Sequence, residues 1–123
     1  MITQNDKNYS SLTHLSSFLG WFFPFGNIII PLALWSAKKD ESTYVDIHGK
    51  SAVNFQLSLL LYGFLLTLLF VPIVIFTLGL GLIAIIIGII PVIVLKIVLI
   101  IIASIKASNG EFYKYPFTIE FIK

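Results

Sequence analysis

Cysteine is absent from the 123 residues, so disulfides and thiolate chemistry are excluded. Charge is sparse as well: 11% of the residues are Asp, Glu, Lys or Arg, and the formal net charge is +2. The eight basic residues are scattered and form no tract interleaved with aromatics, which argues against nucleic-acid binding. No phosphate loop, dinucleotide fingerprint or metalloprotease motif occurs. The polar opening MITQNDKNYSSLTH has no basic stretch directly ahead of an apolar core, so it does not read as a cleaved signal peptide. A metal site needs three or more convergent ligands. His14 lies far along the chain from Asp46 and His48, and no metal or other cofactor is expected. His48 and Asp46 also lack a nucleophile or second carboxylate at a clear spacing, so no enzyme activity is expected.

What the chain has in abundance is apolar surface. Hydrophobic residues make up 58%, and the mean hydropathy is +0.98. A soluble domain of this length could not bury so much, which predicts an all-α integral membrane protein. Three apolar segments stand out. The first, 12–37, is interrupted by Gly20, Pro24, Gly26 and Pro31. Pro24 removes a backbone donor and pushes the residue before it out of helical angles, so FPFGN reads as a break. Either a kinked single span or a re-entrant pair of half-helices fits. The second segment, 51–76, and the third, 82–105, flank the uncharged turn TLGLG and predict a helical hairpin. Around this membrane domain, 12–106, residues 1–11 read as a flexible tail and 38–50 as a polar loop. Residues 107–123 read as an extended aromatic tail, cytoplasmic or interfacial. Asn109 or Gly110 is suited to a left-handed helix stop. Tyr113, Tyr115 and Pro116 lie in the belt beyond it.

Lysine distribution predicts orientation. Lys38, Lys39 and Lys50 flank the central loop, Lys106 and Lys114 follow the third segment, and the hairpin turn is uncharged. The positive-inside rule then puts the central loop and the C-terminus in the cytoplasm of a bacterial inner (cytoplasmic) membrane. The side of the N-terminus depends on whether the first segment crosses.

Polar residues concentrate in VDIHGKSAVNFQ, Val45 to Gln56. On a helix, Asp46 and Lys50 are four apart with the acid first, a favourable pair. Asn54, Ser58 and Tyr62 repeat at the same spacing and make a polar stripe running into the membrane. Gln56 points away from Asn54. Buried amides need partners, and Asn54 is expected to bond the freed backbone near Pro24, Gly26 or Pro31. His14 and His48 read as interfacial. Lys96, deep in the third segment, either snorkels to headgroups or serves a function.

Three blocks, PFGNIIIP with Asn27 at its centre, KKDES…VDIHGKSAVNFQ with Gly49 at its core, and KASNGEFYKYP, together resemble a family of small bacterial membrane proteins similar to the Tic import-channel subunit of the chloroplast inner envelope. The resemblance implies a compact helical membrane domain with a cytoplasmic central loop. The function expected is that of a subunit, scaffold or assembly factor of a membrane complex, related to protein translocation. The alternative is a homo-oligomeric transporter or channel. Expected partners are membrane lipids and other membrane subunits or further copies of the chain.

Overall fold

A computed structural model describes residues 2–22 and 25–123, and of Trp21 the backbone alone. Pro24, and with it the centre of the expected break, lies outside the described residues. The described residues are helical or irregular and contain no strand. Four α-helices follow in order: α1 (Gln4–Leu15), α2 (Gly26–Lys38), α3 (Thr43–Phe76) and α4 (Leu80–Ser108). A 3-10 stretch, Ser16–Trp21, continues α1.

Among the described residues, two helices are long and apolar enough to cross a membrane. At about 1.5 Å per residue, α3 is about 50 Å long and α4 about 43 Å, both beyond the roughly 30 Å hydrocarbon core. The 13 residues of α2 reach only about 20 Å. The first apolar segment is thus shared among the end of α1, the 3-10 stretch and α2. Between α3 and α4 the chain turns through Leu78 and Gly79, both at positive φ (56° and 90°). Such angles are inexpensive for glycine and uncommon for leucine.

Residues 1–11, expected as a flexible tail, are helical from Gln4. The cause is local: Thr3 and Asp6 form a reciprocal capping box, and Ser10 is buried. The loop expected over 38–50 shrinks in the same way. The Ser42 hydroxyl accepts from Val45 N at 3.3 Å and caps α3, so Thr43 to Lys50 form its opening turns. At the other end of α4, the stop falls on Gly110 (φ 82°), whereas Asn109 stays at φ −91°. Glu111 N donates to Lys106 O (2.9 Å) and Gly110 N to Ala107 O (3.3 Å), a Schellman ending that satisfies two terminal carbonyls.

Burial is concentrated at one end of the hairpin. Phe55, Leu99, Ile100, Ala103 and Tyr115 form the core, with Phe18, Leu59 and Tyr113 against it. Beyond them the hairpin side chains stand exposed, Phe64 at 61% and Ile87 at 64%. An apolar surface of that length needs a bilayer to cover it. α1 packs on α4 and α3, and α2 packs on α3 and the 3-10 stretch. Lys7 lies against Gly110 and Ser11 bonds Ser104, which makes α1 antiparallel to α4. α2 runs the other way, from Asn27 beside Gln56 to Trp35 beside Asp46.

Candidate functional site

The polar residues of α3 gather partners from every other part of the buried end. The centre is a pair of histidines. His14 Nε2 lies 2.9 Å from His48 Nδ1, His14 Nδ1 lies 2.7 Å from the Tyr115 hydroxyl, and His48 Nε2 lies 2.9 Å from the Glu111 carbonyl. The carbonyl can only accept, so His48 Nε2 carries a hydrogen and, in the neutral ring, Nδ1 accepts. His14 Nε2 must then donate, and its Nδ1 accepts from Tyr115. One consistent chain results, running Tyr115 O–H to His14 to His48 to Glu111 O. The two rings and the phenol are almost fully buried. Burial, helped by the neighbouring His48, lowers the His14 pKa from 6.5 to about 3, and burial pushes the Tyr115 phenol well above 10.0. Both shifts favour the neutral chain. Tyr44 lines the same site, its hydroxyl donating to Ala107 O at 2.7 Å. Phe112 stacks on His48 with ring centroids 5.8 Å apart.

His14 and His48 were expected at the interface; both are interior, and they bond each other. Positions 34 apart in the chain carry no local signal of such a pair. One hint existed, since α1 has buried Ser10, Thr13 and His14 on one face.

The stripe Asn54, Ser58 and Tyr62 does form, but its partner is the C-terminal tail, not the break. Asn54 Nδ2 donates to Ile122 O (2.9 Å) and its Oδ1 accepts from Ile122 N (2.8 Å). Ser58 Oγ accepts from Ile119 N (2.8 Å), and the Tyr62 hydroxyl donates to Phe117 O. Ser51 Oγ donates to Tyr113 O at 3.2 Å. The tail therefore climbs α3 from Glu111, turns after the exposed Pro116 at Phe117 (φ 59°), and descends to Ile122. An irregular segment beside a membrane helix must satisfy its backbone groups internally. The stripe supplies those partners at one-turn intervals. Replacing Asn54 with leucine removes two bonds at about 1 kcal/mol each. The last residues should then be trimmed by carboxypeptidase about tenfold or more faster than in the unaltered chain, because cleavage follows the open population. Equal rates would contradict the clasp.

Gln56, on the other side of α3, takes the role expected of Asn54. Its Oε1 accepts from Asn27 Nδ2 at 2.8 Å, in the first turn of α2. Its Nε2 is buried with no hydrogen-bond partner among the described residues, as are Ser10 Oγ and Ser17 Oγ. Gly26 and Pro31 are buried in α2. Asp46 pairs with Lys50 at 3.1 Å, as its spacing predicts, and also accepts from Trp35 Nε1 at 2.8 Å. Gly49 is where that indole passes: a Cβ there would lie 2.5 Å from Trp35 Cδ1. Lys39 sits 4.6 Å over the same ring.

Lys96 is half-buried and has no hydrogen-bond or ion-pair partner among the described residues. It stands one turn ahead of Ile100 on the inward stripe of α4, about 18 Å from the helix end. Among the described residues no three metal-ligating side chains converge. Two open grooves flank the descending tail. One, about 450 Å³, is lined by residues including Lys50, Asn54, Lys114 and Lys123; the other, about 510 Å³, is walled by Phe25, Leu57, Leu60, Leu61, Phe64 and Phe121.

A small helical membrane hairpin with an internally fastened polar end leaves several families open, and the sequence comparison narrows them. No curated protein and no solved structure matches the chain. One family model does, MamF/MmsF, over residues 5–122. That finding overturns the expected kinship with Tic import-channel subunits, and the link to protein translocation falls with it. With the match covering nearly its whole length, the chain belongs to the magnetosome magnetite crystal formation protein family.

Proposed function

We propose that the chain is a non-catalytic membrane component of the assembly that supports magnetite crystal formation, and that it works by association. The observation that carries this reading is the division of the molecule. A long apolar hairpin stands exposed, while His48, Gln56, Asn54, Ser58 and Tyr62 of α3 fasten α1, α2 and the tail to it. A transporter would need Lys96, Asn54 and the Phe25–Asn27 region to share one wet cavity; Asn54 is 3% exposed at the edge of one groove, Phe25 walls the other, and Lys96 lines neither. An enzyme would need His48, Asp46 and a further acid within reach of one another. His48 is engaged by His14 and a carbonyl, and Asp46 by Trp35 and Lys50.

The proposed arrangement puts the α3–α4 turn on the far side of the membrane. The start of α1, residues 39–42 and the tail share the cytoplasmic side. The lysines and the antiparallel run of α1 against α4 support it. The first segment then enters and returns without crossing. Single cysteines at Asn5 and Ser108 should be labelled from the same face; labelling from opposite faces would refute this topology.

Deleting the gene in a magnetite-forming host is expected to change crystal size or number in electron micrographs, with restoration by the intact chain. Gentle detergent extraction should give a particle whose protein mass, with bound detergent subtracted, is at least twice the 13.8 kDa of one chain. Unchanged crystals would overturn the functional assignment, and a lone monomer would overturn association.

A further inference from the structure

We propose that the His14–His48 pair is an acid-sensitive latch: proton uptake by the pair releases the C-terminal tail from α3. The geometry sets the limit on protonation. The neutral chain is fully satisfied, with each nitrogen facing a complementary partner. A first proton, on either ring, ends with His14 Nδ1–H pointing at the Tyr115 oxygen. The Tyr115 hydroxyl hydrogen must then turn away, and His14 is the only hydrogen-bond partner the buried phenol has among the described residues. A second proton would set two N–H groups against each other across 2.9 Å. The docked state therefore accepts a proton poorly, whereas release of the tail frees His14 Nδ1 from the Tyr115 hydroxyl and lets one proton be taken up.

No charge nearby rescues the docked imidazolium. On α3 the neighbour is Tyr44 and, on the tail, Phe112 and Tyr115, with Tyr113 behind Tyr115. The Glu111 carboxylate is turned to Lys106 of α4 at 3.5 Å, and Lys7 of α1 packs on Gly110. Among the described residues no carboxylate forms an ion pair with either histidine. His14 agrees with this in direction: its pKa is lowered in the docked state, so docking is unpenalised above about 6.5 and weakens as pH falls from there toward about 3. The tail is the part that yields. Apart from the latch it is held by side-chain bonds from Tyr44, Ser51, Asn54, Ser58 and Tyr62 and by the Tyr115–Phe55 stack, whereas α1 keeps Ser11–Ser104 and Tyr9 to Leu34 O.

The absence of cysteine makes the test direct. Spin labels at Leu65→Cys on α3 and Glu120→Cys on the tail, in the full chain in lipid nanodiscs, report the separation by electron–electron resonance. One narrow distance is expected at pH 8. Below about pH 6 a longer, broad component should grow, the docking constant falling about tenfold per pH unit for the one excess proton. In His14→Gln/His48→Gln the distribution should not respond to pH. A narrow distance retained by the unaltered pair down to pH 4 would overturn the latch, as would the same acid response without the histidines. Should the double variant fail to fold, ¹⁵N-histidine spectra of the doubly labelled chain decide: both rings protonating near 6.5 while the narrow distance persists would overturn it.

Discussion

Tyr115→Ala is expected to cost about 3–5 kcal/mol of stability, the range for truncating a buried aromatic. The side chain is 2% exposed, stacks on Phe55 with centroids 4.0 Å apart, and terminates the histidine chain. Its removal opens a cavity between the tail and α3 and leaves His14 Nδ1 without a donor. Tyr115→Phe separates the two effects. It keeps the packing and removes the hydroxyl alone, for about 1–3 kcal/mol. Equilibrium unfolding in mixed micelles measures both. Losses under 1 kcal/mol for the alanine variant would show that the tail is not part of the folded core.

Gly49→Val should be comparably damaging for the opposite reason. The added Cβ would fall 2.5 Å from Trp35 Cδ1 and 2.7 Å from its Cβ. The α3 backbone cannot retreat without losing helix bonds, so the indole must leave. Overpacking costs about 1–3 kcal/mol, and losing the Trp35–Asp46 bond, which ends on a charged group, adds about 1.5–3 kcal/mol. α2 would loosen from α3. In a Trp21→Phe background, where Trp35 is the sole tryptophan, emission should shift to the red and the unfolding midpoint should fall. An unchanged spectrum and midpoint would contradict the close approach.

The parts of this fold that were legible in the sequence are the ones set by short-range periodicity. The hairpin follows from two apolar runs around an uncharged turn. The Asp46–Lys50 pair and the Asn54, Ser58, Tyr62 stripe follow from four-residue spacing on one helix. The partners were not legible. Asn54 meets Ile122 and His14 meets Tyr115 across 68 and 101 positions. A polar residue at a helix end reads the same whether it faces headgroups or an interior partner. His14 was misread for that reason, and residues 1–11 because polar composition alone resembles a frayed terminus. Gly49 shows the same gap: nothing local says that an indole 14 residues earlier passes over it.

The central claim is that the polar residues of this chain fasten it together rather than react. Amide hydrogen exchange in lipid nanodiscs at pH 8 tests that most directly. The amides of Ile119 and Ile122 donate to Ser58 Oγ and Asn54 Oδ1, both at 2.8 Å. They should exchange at least about a hundredfold more slowly than in the free tail peptide, in step with the polar turns of α3. Exchange at the free-peptide rate, with α3 still protected, would contradict the account.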